Sequence, residues 1–243
     1  MLQGSLNALC SWAEQHELAL SLDKCLYLQV GYSDSTITYT VGSLKPSQSV
    51  TDLGIVVQSN LKPGLHCTQV ATKANARARL ILKSFLSRDA SSLTRAFITY
   101  VRPLLEYATP VWSPHFEQDV DLIEGVQRVF TRKLFYICNL PPATYDERLR
   151  LLGLQRLELR RLHYDICLML KLTHGIINCH LRHAISLAPR AGLRGHRYKL
   201  HVLPAKKLVL SLLPDSCFVP DSYSVFKRKI VNINLCKYLT GKA

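Results

Sequence analysis

Acidic residues are scarce in this chain: 17 Asp and Glu stand against 31 Lys and Arg in 243 residues, a formal net charge of +14. No window reaches about 18 uncharged apolar residues, which excludes a membrane-spanning helix. The opening, Met1 to Leu6, has no basic segment followed by an apolar run, so it does not read as a secretory signal. The expectation is a nuclear or cytoplasmic protein that is not secreted. No C-x-x-C occurs, and the eight cysteines are scattered. A chain this long and apolar needs no disulfide staples, so they read as reduced and mostly buried thiols.

Chemical motifs are absent too. There is no G-x-x-x-x-G-K-[ST], no G-x-S-x-G, no H-E-x-x-H and no G-x-G-x-x-G. Nowhere do two Asp stand adjacent. Asp119 and Asp121 are the nearest carboxylate pair in the basic half; two apart on a helix, they point to different faces and suit solvated surface. His174, Cys179, His180 and His183 lack a second ligand pair at zinc spacing and read as a His-rich loop. No metal site and no complete active site emerge, and the chain alone is expected to be inactive as an enzyme.

What is present is apolar content and basic charge. Apolar residues make up 48%, which excludes disorder as the main state. The length fits one large domain or two small ones. Residues 1–50 carry −2, residues 51–112 carry +5, residues 113–160 carry 0 and residues 161–243 carry +11. Two basic blocks favour a polyanion surface, because each cation that meets a phosphate releases counterions. Charge alone does not separate nucleic acid from an anionic membrane or from solvated helix faces; nucleic acid is the favoured reading.

The pattern predicts an α+β, mostly α protein. Residues 3–19 show helical spacing. Segments 25–31 and 36–42 are β-rich, end in Gly and read as strands joined by a turn at 33–35; residues 52–57 read as a third strand, giving a small antiparallel sheet. From His66 to Phe85 an apolar stripe (Val70, Ala71, Ala74, Ala78, Ile81, Leu82, Phe85) leaves Lys73, Arg77, Arg79 and Lys83 off it, an amphipathic basic helix. A helix from Ser91 towards Tyr107 is kinked or split by Pro103. A Pro- and aromatic-rich link follows, then a helix over 117–137 that ends before Pro141-Pro142. Thr144 and Glu147 form a capping box, opening a short helix to Leu152; a longer one runs from Arg156 to Leu172. Residues 188–207 read as a basic arm and 222–238 as a last helix. The expected organisation is 1–60, 61–140 and 141–243.

Several segments, taken in order, resemble the end of the reverse transcriptase of non-LTR retrotransposons, LINE elements of the jockey-like kind. Leu6 to Glu14, holding Trp12 and Ala13, resembles the L-x-x-W-A helix, and Leu20 to Cys25 the F-N-x-x-K-C signature. Val50 to Ile55 resembles K-D-L-G-V. Leu61-Lys62-Pro63 with His66-Cys67, then Lys73-Ala74-Asn75, resemble the opening of the thumb. Val101 to Ala108 and Val111 to Pro114 resemble V-R-P-x-L-E-Y-A and x-W-S-P. Ile123 to Arg128 matches L-E-x-V-Q-R. Tyr145, Arg148 and Leu149, then Leu152-Gly153-Leu154 and Leu157 to Leu162, match Y-x-x-R-L, L-G-L and L-E-x-R-R-L. Leu213-Pro214 and Ser224 to Lys227 resemble the tail. Leu20 and Leu22 depart from the family's Phe and Asn, and W-N is lacking before Leu213-Pro214.

The resemblance implies the end of a palm (1–60), a thumb-like helical bundle (61–140) and a C-terminal helical region with a basic tail (141–243). The family copies RNA into DNA with Mg ions held by Asp residues, including a Y/F-A-D-D hairpin that is expected just before residue 1 and is absent here. The chain itself is therefore expected to carry no cofactor. Lys24 would be an accessory proton donor near the leaving pyrophosphate. Asp52, Leu53 and Gly54 would form the primer grip, and Lys73, Arg77, Arg79 and Lys83 would track the backbone. The implied partners are an RNA or RNA–DNA template–primer and the upstream polymerase segment, with no membrane. Trp112 and Tyr107 are expected in the core. Two other readings stay open: a stand-alone nucleic-acid-binding helical protein derived from a mobile element, and an inert helical protein with no ligand.

Overall fold

The computed structural model describes residues 2–21, 24–30, 45–173, 175–177, 186–187 and 200–201. It is mostly helical with short strands, as expected of an α+β chain. The chain divides into two units, Met1–Gln69 and Val70–Ala243. The expected strand over 36–42, the 33–35 turn, the 222–238 helix, the tail's Leu213-Pro214 and the cluster from His174 to His183 lie outside the described residues. Of the expected basic arm only Leu200 and His201 are described; they pair antiparallel with Ser186–Leu187.

In the first unit, helix α1 (Leu2–Gln15) precedes strand β1 (Leu26–Leu28), which pairs in parallel with β2 (Lys45–Ser47). Strands β3 (Ser49–Asp52) and β4 (Ile55–Gln58) form an antiparallel hairpin with Asp52 opposite Ile55. This corrects two sequence expectations. The small sheet is not wholly antiparallel, and residues 52–57 are not one strand. Leu53 and Gly54 have φ of 46° and 82°, the positive values that both central residues of a type I′ turn require. Leu is a poor residue for that conformation, so the segment reads through as β. His66, buried, accepts the Val56 N–H at Nδ1, 3.2 Å away, and fixes the hairpin to the following helix.

Among the described residues of this unit Ala13, Val56 and Cys67 are buried, while Leu9, Trp12, Leu18, Leu20, Leu26, Val30, Leu53 and Leu61 are exposed. Two-stranded sheets of this kind are marginal in water without further packing.

Helix α2 (Gly64–Ser84) crosses the boundary between the units. Its buried residues Cys67, Ala71, Ala74, Ala78 and Ile81 recur at three- and four-residue spacing. The second unit continues with α3 (Ala90–Tyr100), α4 (Arg102–Glu106), α5 (Thr109–Trp112), α6 (Glu117–Ile137), α7 (Tyr145–Leu152) and α8 (Leu157–Thr173). Asp89 caps α3 by accepting the Ser92 N–H at 2.7 Å. The split between α3 and α4 comes at Val101, with Pro103 in the first turn of α4, where its missing N–H is harmless. The Pro-rich link contains a helical turn, α5, entered through Ala108 at φ 50°. Trp112 is buried there and donates its indole N–H to the Tyr107 carbonyl at 2.8 Å. Tyr107, by contrast, is exposed, since its side chain leaves the turn on the solvent side; the core expectation for it is corrected.

Helix α6 opens with Glu117 and Asp119, which complement its N-terminal dipole. Its Val120, Ile123, Val126, Phe130 and Leu134 are buried, and Phe130 stacks on Phe97 of α3 with ring centroids 4.4 Å apart. The capping box of α7 forms: Thr144 N–H donates to Glu147 at 2.8 Å, and the Glu147 N–H donates back to the Thr144 hydroxyl at 3.4 Å. Gly153 ends α7 at φ 63°, a conformation that favours Gly. Helix α8 packs against α4, α5 and α6. Among the described cysteines Cys67 is fully buried, whereas Cys10, Cys25, Cys138 and Cys167 are half-buried; Cys25 and Cys138 sit at the ends of β1 and α6.

Removing the Phe130 ring should open a cavity under Phe97. Phe130→Ala is expected to lower stability by about 3–5 kcal/mol, against under about 0.5 kcal/mol for Leu151→Ala at an exposed site. Urea denaturation followed by circular dichroism measures both.

Candidate nucleic-acid interface

Helices α2 and α6 both turn basic near their C-terminal ends. There Arg79, Leu82 and Lys83 of α2 and Arg132, Lys133, Tyr136 and Ile137 of α6 line an open groove of about 620 Å³. The helical repeat explains the grouping. Leu82 and Lys83 lie one turn beyond Arg79, and Tyr136 lies one turn beyond Arg132 and Lys133. Phe130, Thr131 and Leu134 turn into the core, which leaves Arg132 and Lys133 outside. None of the four cations forms an ion pair among the described residues. Four positive charges with apolar residues between them give the groove a positive potential that attracts anions.

Lys73 and Arg77 are exposed but do not line this groove. At about 100° per residue they project roughly 120° around α2 from Arg79 and Lys83. The four α2 cations named from sequence are thus two pairs on two faces, and only one pair meets α6. Arg132, Lys133 and Tyr136 were missed by the sequence reading, although their spacing inside a strongly patterned helix was a usable signal.

In the first unit, Lys24 lines a cavity of about 700 Å³ with Leu6, Leu9, Cys10, Leu20, Cys25, Leu26 and the hairpin residues Ser49, Val50 and Thr51. The lining is mainly apolar, and no carboxylate belongs to it. Asp52, Leu53 and Gly54 are not among its lining residues; they form the tip of the β3–β4 hairpin, with Leu53 82% exposed. The hairpin stem therefore shares a cavity with Lys24, and the tip does not.

Several of the motif residues on α4 to α8 bond to one another. Glu124 of α6 is buried; its two oxygens accept the Tyr145 hydroxyl and, at 3.2 Å, the Glu158 N–H at the start of α8. Burial pushes the Glu124 carboxyl up from its ordinary value, and those hydrogen bonds oppose the shift. Burial first, then the charge of Glu124, pushes the Tyr145 phenol well up, so it stays a donor. Gln127 donates to the Tyr145 oxygen and to the Gln155 carbonyl, both at 3.0 Å. Arg148 donates to the Ala143 carbonyl at 2.6 Å. Arg156 grips Asp146 with contacts of 2.7 and 2.9 Å. Arg160 and Tyr164 of α8 both bond Glu106 of α4, the Tyr164 hydroxyl at 3.0 Å. Asp165 of α8 bonds Ser113; burial pushes its carboxyl up to about 6, and Ser113 and Arg161 oppose the shift.

Among the described residues, the carboxylates do not fit the Mg site of a polymerase. Among the described residues no group of three or more His, Cys, Asp or Glu could hold a metal ion. Asp119 is buried while Asp121 is exposed and pairs with Arg128 at 3.3 Å. The two do point to different faces, but Asp119 is not the solvated surface residue expected of it, because the first turn of α6 tilts its side chain against the bundle. No helix of the described residues is long and apolar enough to cross a membrane.

Compared with known proteins, the chain is similar to an uncharacterized protein of Caenorhabditis elegans, 27% identical over 129 residues, which cover 53% of this chain and 63% of that protein. The match thus spans less than two thirds of the relative's length. No protein-family model matches the chain. No solved structure matches it.

The burial of Asp165 carries a pH signature. An acid whose folded pKa lies above its unfolded value supports folding while protonated and loses that support as pH rises through the folded pKa. Stability attributable to Asp165 should fall between about pH 4 and pH 6, and Asp165→Asn should remove that fall. Comparing urea midpoints of the two proteins at pH 4 and pH 7 tests the sign.

Proposed function

We propose that this chain is the nucleic-acid-holding part of a non-LTR retrotransposon reverse transcriptase, comprising the end of the palm, the thumb and the C-terminal region. The observation that carries the nucleic-acid half of the reading is the α2–α6 groove with Arg79, Lys83, Arg132 and Lys133 on its rim. A surface of this kind positions a backbone without reading its sequence. The family half rests on the ordered motifs from Trp12 to Lys227. In this reading an RNA–DNA hybrid is held by shape, the β3–β4 tip serves as primer grip, and Lys24 is an accessory proton donor. The exposed apolar residues of the first unit support an upstream polymerase segment as its partner.

A second reading, a stand-alone nucleic-acid-binding protein derived from a mobile element, is favoured by one observation. The second unit has its own core, built around Phe97, Leu105, Ile123, Phe130, Leu134, Leu157 and Leu170. Such a module needs no polymerase to fold.

Two-metal phosphoryl transfer needs carboxylates to hold the ions, and no two Asp are adjacent in these 243 residues. With a primed RNA template, Mg²⁺ and nucleotides, the chain alone should extend no primer. Extension above a no-protein control would sink the reading of the chain as a part that lacks the catalytic carboxylates.

Binding to an RNA–DNA hybrid should weaken with salt. Four phosphate contacts give a log–log slope of about −3 to −4, and each of Arg79→Gln, Lys83→Gln, Arg132→Gln and Lys133→Gln should reduce its magnitude by about 1. A slope near zero in the unmodified protein, measured by fluorescence anisotropy, would overturn the groove as a polyanion site.

A further inference from the structure

We infer that the α2–α6 groove takes an unpaired nucleobase as well as phosphates, with Tyr136 as the stacking platform, so that its preferred ligand is a single-stranded segment. This rests on the groove being a nucleic-acid site and names what it selects. Tyr136 is 86% exposed in the middle of a basic surface, between Arg132 and Lys133 when viewed down α6. A ring that exposed contributes little to the fold. It lines the groove together with the apolar Leu82 and Ile137.

A duplex presents phosphates at its surface and keeps its base faces stacked inside. It would use the four cations and leave the ring and the apolar floor without partners. A single strand offers both chemistries at once: phosphates for the rim and a base face for the ring. Charge along a groove combined with an aromatic platform is the physical pattern of sequence-tolerant single-strand binding, because every base has a π-face. The groove volume of about 620 Å³ lies within the roughly 300–1,000 Å³ usual for small-ligand sites, the size class of a single nucleotide. DNA and RNA strands share this chemistry.

The test uses the full chain and a short fluorescein-labelled oligonucleotide, in DNA and in RNA form, each single-stranded and as a duplex. Tyr136→Ala should weaken single-strand binding roughly 5- to 150-fold, the range of one lost stacking contact, and change duplex binding less than about twofold. Tyr136→Phe should retain single-strand affinity, since the face and not the hydroxyl makes the contact. An all-abasic strand should bind weakly and equally to the unmodified protein and to Tyr136→Ala. Loss of equal size for strand and duplex, no loss for either, or an abasic strand still sensitive to Tyr136→Ala would each overturn the stacking, while salt-dependent duplex binding in the same samples would leave the phosphate-binding groove intact. Absence of binding to every form would overturn both. Because the ring is exposed, the variant's melting temperature should match the unmodified protein's, which separates lost binding from lost fold.

Discussion

The buried carboxylate of Glu124 is the constraint on which the second unit depends. It sits on α6, accepts the hydroxyl of Tyr145 at the start of α7, and accepts the Glu158 N–H at the start of α8. One side chain thus sets three helix positions and supplies a cap that α8 lacks locally. The N-terminal end of α8 carries an excess of partial positive charge, which favours an anion there. Desolvation opposes the charge, and the donors offset it. Removing the carboxylate would leave the phenol and the α8 N–H groups without that partner, a larger loss than the net worth of the bonds themselves.

That arrangement fixes the rest of the bundle. With α8 anchored at its first turn, Arg160 and Tyr164 reach Glu106 on α4, and Asp165 reaches Ser113 just after α5. The two halves of α6 then do different work. Its N-terminal half spends polar side chains inward, on Glu124 and Gln127. Its C-terminal half buries Phe130 and Leu134 and turns Arg132, Lys133 and Tyr136 outward. The groove is a consequence of the clamp, because the same helix that is locked from within presents the basic surface without.

Much of this was legible locally. The capping box at Thr144, the bounds of α6, the break near Pro103 and the Gly153 stop are set by neighbouring residues, and sequence carries them directly. The hairpin at Leu53-Gly54 was not legible, because a leucine at positive φ contradicts the local preference and is held by the strand pairing around it. Lys73, Arg77, Arg79 and Lys83 could be named as off the stripe. Which pair meets another helix depends on α6, some fifty residues away, and no spacing within α2 encodes that. The motif residues Glu124, Tyr145, Arg148 and Arg160 drew attention as family signatures, and the fold uses them as internal braces. Polar side chains inside an apolar helical stripe, such as Glu124 and Gln127, were the overlooked sign of that role.

The two units differ in how far burial offsets conformational entropy. Ordering a residue costs about 1–2 kcal/mol of backbone entropy, and a small unit recovers this only by burying apolar surface. The second unit buries whole aromatic and aliphatic side chains. Among its described residues the first buries Ala13, Val56 and Cys67 and leaves Leu9, Trp12, Leu18 and Leu20 in water. Its order therefore rests on hydrogen bonds such as that from Val56 to His66, which are individually modest. Stability accordingly resides in the second unit, which also carries the four groove cations Arg79, Lys83, Arg132 and Lys133.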